Sequence, residues 1–385
     1  MIILRNMRQN QLKKRIKREP KDFIVKEVAH FDLSPNGEFS YYLLEKENRN
    51  TLDVLEEVSA KVGIPLFEFG FSGLKDKRAK TTQYISIRGG PEAKLTGKGW
   101  KLKFIGKGSK GIEMGEAEGN HFIIKIYDVN PTRFEAGIEL IRKMGFANYF
   151  GEQRFSCDIY SRKPIGRLLL EGRIEEALRE YFTQSPNPFK MKRLRKLWGR
   201  WQLFLTEATH LSKRERAAIK VLMKKKDPFK AFKVLPKNIK LMFFFSYQSM
   251  LWNRMLKRLV KKHLPHFEAP FVIDGRLCFY KDYAKFFDTL KELEIPYISE
   301  EAMDRAPDFI KSEMERIIEE EGLRDRLNAT VENIKVFSSG KRKAVVFPRK
   351  LKITERGGNW VRLKFFLPSG SYATILLRKA FYFTP

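Results

Sequence analysis

Residues 73 to 83, Gly-Leu-Lys-Asp-Lys-Arg-Ala-Lys-Thr-Thr-Gln, place one acid, Asp76, among four bases: Lys75, Lys77, Arg78 and Lys80. A carboxylate inside a basic collar has a definite chemistry. Neighbouring cations favour its ionised form and oppose the neutralising effect of burial. At an effective dielectric near 20, a cation about 4 Å away contributes on the order of 4 kcal/mol. Such a group suits a nucleophile or an electrostatic stabiliser and makes a poor general acid at neutral pH. The same cations can hold phosphates, which offsets the repulsion between the acid and a polyanion. The competing reading is a solvated charge run. Against it, Phe69 and Phe71 precede the run and Gln83-Tyr84-Ile85-Ser86-Ile87 comes after it, so the loop is short and pinned between ordered elements. Loops held in that way are where chemistry tends to sit.

A second stretch is 148–156, Asn-Tyr-Phe-Gly-Glu-Gln-Arg-Phe-Ser. An aromatic face that stacks on a base, with an amide to read its edge, is how unpaired bases are held. Composition alone favours a helix end with Gly151 in a turn and the rings in the core. A third, 367–379 (Leu-Pro-Ser-Gly-Ser-Tyr-Ala-Thr-Ile-Leu-Leu-Arg-Lys), joins a Pro/Gly turn to an apolar strand or helix. Residues 106–111, Gly-Lys-Gly-Ser-Lys-Gly, satisfy a dinucleotide-binding pattern literally. The residues after 111 do not open a helix, and the pyrophosphate of such a ligand needs a helix N-terminus. A Lys/Gly hairpin is the expectation there.

Around these stretches the chain divides into recognisable elements. Asp22–Val28 alternates apolar and charged residues, and Ser34-Pro35-Asn36-Gly37 precedes Phe39–Glu47, which predicts a strand–turn–strand unit. Residues 50–63 predict a helix, capped by Asn50 or Thr51, with Leu52, Leu55, Val58 and Val62 on one face and Gly63 as its stop. Strands are expected at 83–89, 100–106 and 121–129, and a helix at 133–145. Strands therefore outnumber helices in the first third, which favours an α+β sheet over a doubly wound one. After about 156 the character changes: residues 183–240 hold seventeen Lys/Arg against three acids, Glu207, Glu215 and Asp227, in helical stretches. Residues 300–326 are acidic and helical, with Phe309, Ile310, Met314, Ile317 and Ile318 as the buried stripe. From 335 strands return, and 372–381 is read with them.

The 76 Lys+Arg against 46 Asp+Glu give a formal charge of +30, which bears on polyanion binding and not on fold. The most apolar run, 241–252, is far shorter than the roughly 20 residues a spanning helix needs. No apolar leader segment comes after the first bases. Two cysteines, Cys157 and Cys278, imply neither a disulfide framework nor a multi-cysteine zinc site. His263 and His266 are close in sequence but lack partners for a metal set. The expectation is a cytoplasmic protein facing nucleic acid, with no membrane contact, no metal and no cofactor, and its net charge favours a monomer.

The three motifs, in this order and with a large insertion before the last, resemble the TruD family of tRNA pseudouridine synthases. Residues 17–28, 119–126 and 247–253 add to the likeness. The resemblance implies an α+β pseudouridine synthase catalytic domain with a central mixed, mostly antiparallel sheet. It would be built from 1–155 and 336–385 and interrupted by the largely helical TruD insertion, 156–335, with a flanking helix around 241–262 able to pack on the catalytic domain. It implies isomerisation of a uridine in tRNA to pseudouridine, at uridine 13 in bacterial relatives, without metal or organic cofactor. Asp76 falls on the family's essential aspartate, Phe150 on the aromatic that stacks on the target base, and Asn148 on the amide beside it. Lys17 matches the base that pairs with the aspartate. RNA contacts are expected from Lys75, Lys77, Arg78, Lys80, Gln83, Arg154 and Tyr372. Ser156 stands where the family usually has glycine, Tyr372 where it usually has phenylalanine, and an arginine often found near the end of 119–129 is missing. None of these departures removes a catalytic group. The rival is a non-catalytic RNA-binding or RNA-chaperone protein on the same fold; it would have no need of the acid.

Overall fold

The computed structural model describes residue 12 and residues 15–383. They form two compact units, one from the chain up to 146 together with 346 onward, the other from 147 to 345.

The first unit is a nine-stranded sheet. Its strands are β1 (Phe23–Val28), β2 (Phe39–Glu47), β3 (Phe69–Gly70), β4 (Lys80–Arg88), β5 (Leu95–Gly97), β6 (Trp100–Gly108), β7 (Gly119–Tyr127), β8 (Arg349–Arg356) and β9 (Trp360–Pro368). The order is β8-β9-β7-β1-β4-β2-β6-β5, with β3 on β4. β1 and β4 run parallel, Val25 opposite Thr81, whereas the other neighbours pair antiparallel. This is the mixed, mostly antiparallel sheet expected. The β1–β2 hairpin does not form. β4 lies between them and pairs with β2 from Phe39/Arg88 to Glu47/Lys80. The turn signal at 34–37 bends the connection, but ten residues (29–38) are long enough to carry the chain across an intervening strand.

Helix α1 (Thr51–Val62) buries Val54, Leu55 and Val58 against Tyr42 and Leu44 of β2, Ile85 and Ile87 of β4 and Leu102 of β6. The alternating side chains of the strands make this face, and the helical spacing of α1 answers it. Gly63 ends α1 at φ +71°, its N–H bonding Ser59 O, a left-handed conformation that glycine adopts without a Cβ penalty. α2 (Pro131–Met144) starts at Asn130, whose side chain accepts from Arg133 N, and buries Phe134, Ile138 and Ile141. The segment read as a last strand is instead helix α3 (Ala373–Tyr382). Ile375, Leu376, Leu377 and Ala380 are all buried. A short run apolar on every side carries no period that separates strand from helix. No helix opens after 111, but the expected Lys/Gly hairpin does not form either: residues 106–108 belong to β6, and 109–118 carry the chain across the sheet to β7, which is not a neighbour of β6.

The second unit is largely helical around Lys237–His263, a helix of 27 residues buried nearly all round between Phe243 and Leu256. No helix among the described residues is long and apolar enough to cross a membrane. The acidic stretch forms Glu300–Arg305 and Asp308–Glu321, with Ile310, Met314, Ile317 and Ile318 buried. Its acids answer bases on the long helix: Glu321 pairs with Arg254, Glu320 with Arg258 and Glu313 with Lys262. The units divide at 146/147 and 345/346, not at the expected 155/156 and 335/336. Side chains of the long helix are the reason. Asn253 bonds both the N–H and the carbonyl of Phe150, Ser249 accepts from Arg154, and Gln248 donates to Ser338 O.

Candidate active site

Asp76 projects from the loop between β3 and β4, and this loop is held from below at several points. Thr51 is the first residue of α1, where Asn50 takes the cap position, so its hydroxyl is free for other work. Thr51 Oγ1 accepts from Lys75 N at 3.3 Å and donates to Gln83 Oε1 at 3.0 Å. Gln83 Nε2 in turn donates to Gly73 O at 3.2 Å. Lys46 Nζ donates to Asp76 O at 2.9 Å, to Arg49 O at 2.9 Å and to Lys75 O at 3.4 Å. Asn48 N closes the end of the loop on Ala79 O.

The Asp76 carboxylate is tied by Lys17, whose Nζ lies 3.0 Å from Oδ2. Lys17 is nearly buried, and its ammonium sits 3.9 Å from the centre of the Phe23 ring. The Asp76 side chain keeps 38% of its surface exposed. The pair therefore joins a fixed cation to an accessible carboxylate.

The basic collar divides in two. Lys77, Arg78 and Lys80 are exposed, and Arg78 donates to Arg18 O at 2.7 Å. Lys75 points the other way and pairs with Glu27, whose side chain is fully buried and whose other oxygen accepts from Tyr84 N at 2.8 Å. Gln83 is fully buried as well. The geometry gives Lys75 and Gln83 the task of holding the loop, because their polar atoms are already spent inside it. Replacing Lys75 by methionine leaves Glu27 as a buried, uncompensated charge, so a loss of about 3–5 kcal/mol of stability is expected. Lys77→Met should stay within about 0.5 kcal/mol. Urea denaturation of the two variants checks the contrast.

In the second unit, Asn148 and Phe150 are brought together around Arg342. Arg342 Nε donates to Asn148 O at 2.8 Å and Nη2 to Asn148 Oδ1 at 2.7 Å, while Asn148 Nδ2 donates to Lys343 O at 3.0 Å. The Arg342 guanidinium lies 4.1 Å from the centre of the Phe150 ring. Trp252 meets that ring edge-on at 5.5 Å, and Trp252 itself is anchored through Nε1 to Ile295 O. Arg154 sits 5.3 Å from the Phe150 centre and 5.0 Å from that of Phe245. Phe150 is 5% exposed, so its ring has a fixed orientation set by cations and aromatics. Tyr372, in the first unit, occupies the N-cap of α3.

Both thiols are buried, and burial raises their pKa, that of Cys278 to about 11, which keeps them protonated and unreactive. Among the described residues, no three His, Cys, Asp or Glu side chains gather as a metal ion would require.

Sequence reasoning missed Lys46, Glu27 and Arg342. The first two left a signal. On β1 the buried stripe runs Phe23, Val25, Glu27, and on β2 it runs Tyr42, Leu44, Lys46, so each ends in a charge at a core position. Arg342 left none, since it stands in a run of bases, 341–343, with no apolar pattern to mark it as buried.

The sequence model of the family described as tRNA pseudouridine synthase D (TruD) matches residues 5–380. This chain belongs to that family. A protein of Aquifex aeolicus (strain VF5) named tRNA pseudouridine synthase D is 40% identical over 380 residues, covering 95% of this chain and 98% of its own. One of Methanocaldococcus jannaschii, named probable tRNA pseudouridine synthase D 2, is 31% identical over 389 residues, covering 95% and 91%. A crystal structure of a Methanosarcina mazei protein, solved as a candidate TruD, superposes with a TM-score of 0.64 at 23% identity, covering 96% of this chain and 94% of that one. That likeness bears on the fold: the mixed sheet with added helices is the TruD architecture. Membership makes the chain an isomerase of the pseudouridine synthase class.

Proposed function

We propose that this TruD member converts uridine 13 of tRNA to pseudouridine, with Asp76 as the group that acts on the nucleotide. The observation that carries the reading is the Lys17–Asp76 pair at 3.0 Å, which presents an oriented and accessible carboxylate from a braced loop. The reaction breaks the C1′–N1 bond, turns the uracil and forms C1′–C5. A stacked uridine is out of reach, so the nucleotide is flipped out at a cost of a few kcal/mol. Phe150 supplies stacking in return, worth on the order of 1–3 kcal/mol per base.

Two routes use the same carboxylate. In one, Asp76 attacks C1′ and holds the ribose as an ester while the uracil turns. In the other, it removes the 2′ proton to give a glycal. In both, the C5 proton leaves last, and Asp76 is the economical base. The chemistry draws on protein groups alone, and the enzyme acts as a monomer in the cytoplasm.

Tritium release from tRNA labelled at uridine C5 tests the reading, with the length of the RNA checked in the same tube. A synthase releases tritium and leaves the chain intact. A chaperone releases none, and a nuclease shortens the RNA; either result would overturn the proposal.

The insertion is proposed to hold the tRNA backbone. Helix Pro188–Leu197 buries Met191 and Leu194 and turns Lys192 and Lys196 outward beside Phe189, which is 85% exposed. Helix Lys213–Lys225 likewise exposes Lys213, Arg214, Lys220, Lys224 and Lys225. Neutralising Lys192 and Lys196 together should weaken binding at moderate salt. It should also flatten the plot of log affinity against log salt by about 0.7–0.9 for each phosphate no longer neutralised. Filter binding across a salt series measures this, and an unchanged slope would remove these lysines from the interface.

A further inference from the structure

The alternation of β2 places Tyr42, Leu44 and Lys46 on the face that α1 covers. Tyr42 and Leu44 are ordinary core. Lys46, 2% exposed, is a cation at a core position, and an ammonium is costly there unless its protons are satisfied. Its three protons match three acceptors, the carbonyls of Arg49, Lys75 and Asp76. Arg49 immediately precedes the cap of α1, so Lys46 joins the start of a packed helix to the main chain of Asp76 itself. Lys17 fixes the Asp76 carboxylate, while Lys46 fixes the backbone that carries it.

We infer that Lys46 is a positioning residue for the reaction: its ammonium clamps the main chain of Asp76, and the clamp loosens when that ammonium loses its proton. A neutral amine has two protons and a lone pair, so it cannot serve three carbonyls. The inference rests on the reading of Asp76 as the acting group. The charged groups facing Lys46 are Asp76 and Lys75 from the loop and Lys17 from the segment before β1. Burial is the main reason its pKa falls, to about 8; Lys75 and Lys17 lower it further, and Asp76 opposes them. The clamp is therefore complete below about pH 8, where the ammonium holds its proton, and is lost above it.

The test is the single-turnover rate of tritium release from C5-labelled tRNA, measured from neutral to alkaline pH. The wild-type rate should fall above about pH 8 with the loss of one proton. Lys46→Met should lower the neutral-pH rate on the order of 10²-fold, the cost of a reacting group misplaced by about 1 Å, and should erase the alkaline fall. Substrate affinity should stay within a few-fold. Lys46→Arg keeps the charge and the donors, so it should retain most of the rate and also lack the fall. A Lys46→Met enzyme that keeps the wild-type pH profile overturns the inference, because a merely structural lysine would lower stability without removing that limb.

A second measurement reads the group itself. In ¹³Cε spectra, a lysine signal that titrates near pH 8, against the ordinary value of about 10.4, should be present in the wild type and missing from Lys46→Met. Burial also lowers the pKa of Lys379, and the comparison tells the two lysines apart. A Lys46 signal that titrates at the ordinary value overturns the inference. Asp76→Asn separates this inference from the reading beneath it. If that variant keeps activity, the aspartate reading fails. If it is inactive while Lys46→Met keeps both rate and profile, only the role of Lys46 fails.

Discussion

Replacing Asp76 by asparagine is expected to reduce pseudouridine formation by at least about 10⁴-fold, the order lost when a covalent nucleophile is removed. Affinity for tRNA should change no more than a few-fold. The two halves of this expectation have different sources. Asparagine keeps the size and can still accept from Lys17, so the loop, anchored mainly through Lys46, Thr51 and Gln83, has little reason to move. It cannot attack C1′ or take a proton, so both routes close. Exposed bases such as Lys77 and Lys80, proposed to hold phosphate, are untouched by the change. Equilibrium binding and single-turnover tritium release on the same preparation check the split. An equal loss of binding and rate would make Asp76 an architectural acid.

The second large effect concerns Phe150. Phe150→Leu should lower the single-turnover rate by roughly 5- to 150-fold, which is about 1–3 kcal/mol of stacking expressed as a rate. Phe150→Tyr keeps the ring and should stay within a few-fold. Leucine is chosen because alanine would open a cavity beside Trp252 and Arg342, at a folding cost of about 3–5 kcal/mol that would confuse the comparison. Thermal melting of both variants verifies that the fold is kept. Equal rates for leucine and tyrosine would remove the ring from the chemistry and leave it as packing for Arg342.

Much of the first unit was legible in the chain. Alternation marked β1, a turn signal and an apolar run marked β2, short strand-like runs marked β4, β6 and β7, and a one-sided apolar stripe ending in Gly63 marked α1. Pairing was less legible, since a turn signal at 34–37 says that the chain bends and not which strand comes beside it. The order β1-β4-β2 depends on contacts distant in sequence. Helix α3 was misread because its apolar residues cover every side.

The site was legible in its chemistry but not in its bracing. Residue types and a family resemblance single out Asp76 and Lys17. They stand far apart in the chain, and no local pattern reports their partnership. Glu27 and Lys46 were readable in principle, each as a charge where alternation requires an apolar residue. The allocation of Asn148, Phe150 and Arg154 to the helical unit was beyond sequence, because it turns on amide and hydroxyl bonds from Asn253 and Ser249 of a helix about a hundred residues later.

The most direct test of the central claim is to map pseudouridine, position by position, in unmodified tRNA incubated with the wild-type protein and with Asp76→Asn. The expected result is conversion of uridine 13 by the wild type, none by the variant, and intact RNA in both. Conversion by the variant, or an unconverted uridine 13 after incubation with the wild type, would contradict the claim.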